Sequence, residues 1–158
     1  MYQDYKDLLS AFQSHGVKYL VCRRLCGYLS LAAALYEGPR PFHKSGPCHA
    51  AQATHAALAE FGAPLKGITP EDFTDCNSFF RFGREPKGFD ILPSIPGVDF
   101  DAAWERRVET LIDTASGLKA NFISADDLIA SKLASGRARD LADVEDIRKA
   151  AESQRPRR

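Results

Sequence analysis

The C-terminal third constrains the fold more than any other part of the chain. Residues 123–147 read ISADDLIASKLASGRARDLADVEDI, two helical runs separated by Ser135-Gly136. Gly is a strong helix breaker, so the pattern predicts two helices joined by a short turn. Whatever the rest of the chain does, it must accommodate that helix pair.

The remainder alternates between helical and strand patterns. Tyr5, Leu8, Leu9 and Phe12 recur at helical spacing over Tyr2 to His15, and Gly16 stands where a C-cap belongs. Val17 to Val21 alternates like a strand entering a core. A second amphipathic helix is expected over Ala50 to Phe61, closed by Gly62. Strands are expected at Ser78–Phe82 and Gly88–Leu92, separated by the turn-rich Gly83 to Lys87. A short helix over Asp101–Arg107, strands at Val108–Thr114 and Ala120–Ile123, and the two terminal helices complete the order. That succession predicts an α/β class with a mixed sheet and packed helices, one domain over 1–153 and a disordered basic tail over 154–158.

Composition narrows the function classes. At 158 residues the chain is long enough for one domain with its own core, and 44% hydrophobic content excludes wholesale disorder. Lys plus Arg, at 21, balances Asp plus Glu, at 21, which argues against bulk electrostatic binding of nucleic acid. The charged amphipathic segment Met1 to Gly16 is not the pattern of a signal peptide, and no apolar run has the length of a membrane span. A cytoplasmic protein without membrane contact is therefore expected.

One window breaks the pattern. Cys22 to His49 holds Cys22, Cys26 and Cys48, carries Glu37 as its single acid, and loses periodicity from Glu37 onward. Cys22, Cys26, Cys48 and His49 admit a reading as a zinc-binding interaction domain. Structural zinc ligands usually come as two tight pairs, however, and His49 directly after Cys48 is awkward geometry, so unbridged thiols are the preferred reading.

The C-terminal pattern is a hydroxyl-x-x-Asp-Leu-Ile-x-x-Lys-Leu run from Ser124 to Leu133, then Gly136-Arg137, then Asp140-Leu141-x-Asp143. It resembles the signature of small bacterial nucleotidyltransferase-like proteins, relatives of the abortive-infection nucleotidyltransferase toxins. The resemblance implies Mg²⁺-dependent transfer of a nucleotide from an NTP to a hydroxyl on protein, RNA or a small molecule, with an antitoxin as a further partner. It implies Asp90 as a catalytic, metal-binding carboxylate. Lys132 and Arg137 are implied as nucleotide-binding cations, with Asp140 and Asp143 supporting them through ion pairs.

The same resemblance implies two motifs that are missing. The first strand of such proteins ends in Gly-Gly or Gly-Ser, where helix N-terminal amides bind phosphate, and the next carries Asp-x-Asp for two Mg²⁺. Here Cys22-Arg23-Arg24 stands at the glycine turn, and Asp99-Phe100-Asp101, the first Asp-x-Asp of the chain, reads as a helix cap. Back-translating Cys22 to Tyr28 and reading one nucleotide later permits Val-Gly-Gly-Tyr-Ala-Val. Gly38 to Pro47 treated alike permits Asp-Leu-Asp-Leu-Phe-Ile-Lys-Ala-Asp. A local frameshift between compensating indels over residues 22–49 is the expected cause, and the chain as written is expected to be inactive. The alternative of another class is a non-catalytic binding protein or toxin–antitoxin-type regulator.

Two further patterns lie outside that signature. Arg81, Arg84 and Lys87 interleave with Phe79, Phe80 and Phe82, a pattern open to base stacking, but alternate phenylalanines are expected to fill the core. The four histidines, His15, His43, His49 and His55, form no pair at helical ligand spacing and are expected to be structural.

Overall fold

The computed structural model describes residues 3–23, 29–33, 49–75, 78–84 and 88–153. Its elements run α1 (Gln3–Ser14), β1 (Tyr19–Arg23), β2 (Leu29–Ala33), α2 (His49–Phe61), a short 3-10 helix (Pro70–Thr74), β3 (Phe80–Phe82), β4 (Phe89–Leu92), α3 (Phe100–Glu105), β5 (Val108–Asp113), β6 (Leu118–Phe122), α4 (Ala125–Ser135) and α5 (Ala138–Ser153). The class is α/β, as the order of patterns predicted. Two compact units emerge, one of residues 1–94 with 109–122 and one of residues 95–108 with 123–158.

The first unit is built on the sheet, in the order β3-β4-β2-β1-β6-β5. β1 pairs antiparallel with β2 and parallel with β6, while β4 pairs parallel with β2 and antiparallel with β3, so the sheet is mixed. β2 was not foreseen. It comes from the start of an Ala-rich run without a clear period, and it forms because strands flank it on both sides. A strand hydrogen-bonded on both edges needs less from its own sequence than an edge strand does.

The core of this unit follows from periodicity. Tyr5, Leu8, Leu9 and Phe12 lie on one face of α1 and are buried, as are Ala51, Ala57 and Leu58 on α2. They join Val21 of β1, Phe89 and Ile91 of β4, and Phe73 of the 3-10 helix in one cluster. The alanines of α2 are short enough for the two helices to approach closely. Phe12 meets Tyr19 edge-on at 5.7 Å between ring centroids, and Phe82 stacks on Phe89 at 5.3 Å. Phe80 packs against this core too, which bears out the reading of alternate phenylalanines as core. Phe79 lies outside it, 60% exposed, with the Arg81 guanidinium 5.9 Å from its ring.

In the second unit, Asp99 caps α3 by accepting from the Ala102 amide at 2.9 Å, the role its position suggested. Pro96-Gly97 turns the chain between Ile95 and Val98, which bridge one another. Gly97 sits at φ +68°, and a Cβ there would meet the Ala134 Cβ at 2.5 Å, so both conformation and space select glycine. α4 and α5 pack as the predicted helix pair, with Gly136 in the left-handed conformation at the C-cap of α4. Among the described residues no helix is long and apolar enough to cross a membrane. The basic tail 154–158 lies outside the described residues.

Candidate functional site

Asp90 belongs to the first unit. On a strand with one face in water it would project away from Phe89 and Ile91 into solvent. Instead all three are buried, with Asp90 only 5% exposed; β4 is an inner strand, and the Arg81 side chain lies against the carboxylate. A buried carboxylate requires a counter-charge. Arg81 supplies it from β3, its Nε donating to Oδ1 at 2.8 Å and its terminal amine to Oδ2 at 3.2 Å. The two are direct partners in the β3–β4 register, so the strand pairing itself aims one at the other. On the other side, Ser30 of β2 is the Cα partner of Asp90.

The pair was legible in principle. Phe82 opposes Phe89 and Phe80 opposes Ile91, so counting outward from the turn between the strands puts Arg81 opposite Asp90. Sequence reasoning treated Arg81 as one member of a basic run and missed the pairing.

The remaining candidates fall in the second unit, where Lys132, Asp140 and Asp143 come together. Lys132 is 7% exposed, and its Nζ donates to Asp143 Oδ2 at 2.7 Å and to Asp140 Oδ1 at 3.5 Å. Ser135 Oγ donates to the other oxygen of Asp140 at 2.6 Å. That hydrogen bond, with the nearby Lys132 charge, holds the Asp140 carboxyl below its ordinary range against the opposing effect of burial. Arg137 is exposed at the start of the second helix, and its charge adds to the same effect on Asp140.

The other half of the signature has a comparable arrangement. Ser124 caps α4 by accepting from the Asp127 amide at 3.1 Å, and its hydroxyl donates back to Asp127 Oδ2 at 2.6 Å. Arg106, just after α3, grips the same carboxylate with two hydrogen bonds of 3.1 and 2.6 Å. Arg106, followed by the Ser124 hydroxyl, drives the Asp127 carboxyl down while its burial pushes up. The Ser-x-x-Asp spacing is the signal for this cap. Nothing in the sequence announced Arg106 as its partner.

Two of the histidines have polar partners. His55 approaches the Ile68 carbonyl at 3.1 Å, and His15 pairs with Glu60 at 2.6 Å. His43, Cys26, Cys48 and Cys76 lie outside the described residues, as does most of the window of the expected frameshift. Among the described residues no three His, Cys, Asp or Glu side chains gather where they would hold a metal ion. With both Asp90 oxygens on Arg81 and no second carboxylate beside it among those residues, the donor set present does not fit the two-metal centre that the resemblance implied.

No curated protein and no solved structure matches the chain. Residues 93–151 match a family model described as a nucleotidyltransferase of unknown function (DUF6036). The match takes in α3, β5, β6, α4 and nearly all of α5, and begins just beyond Asp90. It supports a nucleotidyltransferase-like family for this chain, in agreement with the C-terminal signature.

Proposed function

We propose that this chain is built on the plan of a Mg²⁺-dependent nucleotidyltransferase acting from an NTP on a hydroxyl acceptor, and that with its present sequence it does not complete the transfer. One observation carries the second half of that reading. β2 is the strand following β1 and lies parallel beside β4, in register with Asp90. In the resembling family the strand in that position carries Asp-x-Asp. Here it reads Leu29-Ser30-Leu31-Ala32-Ala33, without a carboxylate. Hard divalent cations take several oxygen ligands, and one aspartate already bound to an arginine is a poor substitute.

In this form the chain acts by binding, and an antitoxin-like protein is the partner class that the resemblance implies. The test is pyrophosphate release from each common NTP with Mg²⁺, in the presence of bulk RNA and protein acceptors. No release above that of the Asp90→Asn variant is expected. Release that depends on Asp90 would overturn the proposal.

A second reading rests on the codons of the window 22–49, whose shifted frame permits both missing motifs in order. If the gene encodes them, the natural protein is an active transferase with Asp90 as its third metal carboxylate. DNA sequence across codons 15–55, with the intact mass of the expressed protein, separates the two. Independent reads encoding Cys22-Arg23-Arg24 in a clean frame would remove the second reading.

A further inference from the structure

We infer that Arg81 takes the place of a metal at Asp90: the guanidinium is the built-in counter-cation of this site, and the chain recruits no divalent ion there. The inference rests on the reading of the chain as a nucleotidyltransferase-family protein, but it concerns what the aspartate holds and not whether transfer occurs.

Three observations carry it. First, Asp90 is too deeply buried to remain charged alone, so some cation must accompany it. Second, Arg81 contacts both carboxylate oxygens, at 2.8 and 3.2 Å, in the forked geometry in which a guanidinium matches a carboxylate. A metal ligated by Asp90 would have to compete for those same oxygens. Third, the pair is fixed by backbone register and not by a flexible loop, since Arg81 and Asp90 are Cα partners between flanking pairs of phenylalanines and aliphatics. The Arg81 side chain is itself half exposed, so the register keeps the pair within reach and the two hydrogen bonds hold the guanidinium on the carboxylate.

The carboxylate has thus changed its work. In a two-metal site an aspartate holds an ion that is exchangeable and sensitive to chelators. Paired with Arg81 it becomes a clasp between two strands, indifferent to metal.

The test has two arms on the full chain. In the first, Mn²⁺ is titrated into the wild type and into Asp90→Asn, with free Mn²⁺ followed by electron paramagnetic resonance. Superimposable curves are expected. Saturable one-to-one binding by the wild type that Asp90→Asn abolishes would overturn the inference, whether or not any NTP is turned over. Pyrophosphate release without such binding would instead defeat only the proposed loss of transfer.

The second arm compares thermal midpoints of Arg81→Met, Asp90→Asn and the double variant. Each single change is expected to lower the midpoint by roughly 5 °C or more, and the double change by less than the sum of the two. Strict additivity would show that the two side chains do not act as a pair and would equally overturn the inference. Asp90→Asn keeps the side-chain shape, so the comparison survives if Arg81→Met folds poorly; Arg81→Lys then replaces it, with partial retention expected.

Discussion

Replacing Lys132 by methionine separates two roles for this residue, phosphate contact and internal counter-ion. The change keeps the length and apolar stem of the side chain and removes its charge. What remains is Asp143, which was 2.7 Å from the ammonium, and Asp140, which was 3.5 Å away. These carboxylates are only 19% and 15% exposed, so water takes over little of the lost interaction. Removing one partner of a buried ion pair costs about 3–5 kcal/mol. Asp140 keeps its bond from Ser135, and both acids retain an edge in solvent, which places this case near the lower end, about 3 kcal/mol. For a chain of this size that corresponds to a midpoint lowered by roughly 6–12 °C. Thermal unfolding followed by circular dichroism reads it directly. Adding Asp140→Asn and Asp143→Asn should return most of the loss, since the uncompensated charges are then gone. A Lys132→Met protein as stable as the wild type to within about 0.5 kcal/mol would refute the counter-ion role, a change of that size being ordinary for surface sites.

Other changes follow from the same geometry. Gly97→Ala combines a left-handed backbone with a Cβ driven into Ala134, and should cost about 2–4 kcal/mol in urea unfolding; Ala134→Gly in the same chain should relieve part of it. Burial raises the Tyr19 hydroxyl to about 12 from an ordinary 10. The folded state therefore holds its proton more tightly than the unfolded chain, and stability present below pH 10 should fall as the pH rises toward 12. Tyr19→Phe should flatten that alkaline limb, and near-ultraviolet phenolate absorbance should lose a late-titrating component in the variant. At the acid end, hydrogen bonds from Lys6 and then Ser116 hold Asp113 at about 2. Its contribution is complete above the unfolded value of about 4 and is lost as the pH falls toward 2. Asp113→Asn should remove that part of the acid transition, and an unchanged pH–stability curve would refute the pairing.

Helices with a strong period were legible to within a residue or two. Gln3–Ser14 and His49–Phe61 nearly coincide with expectation because one face of each is apolar and a glycine follows. β2 was invisible, since its formation is decided by neighbours far away in sequence. The 3-10 helix at Pro70 was overlooked although it had a signal: Thr69-Pro70 with Asp72, whose carboxylate accepts from the Thr69 amide at 2.7 Å. For the candidate site, the acids and Lys132 were singled out through the family resemblance, and ion-pair partners were foreseen only where they lay on the same short segment. Asp140 and Asp143 are near Lys132 in sequence and were paired with it in advance. Arg81 with Asp90, and Arg106 with Asp127, meet through strand register and helix packing, which a linear pattern does not encode.

The network around Lys132 has a consequence for how such a chain is recognised. Ser135, Gly136, Lys132, Asp140 and Asp143 depend on one another, so none is replaced without cost to the rest, whatever happens in the sheet. A motif of this kind secures the turn between two helices. In a chain of this design, likeness in the helices carries little information about what the strands hold.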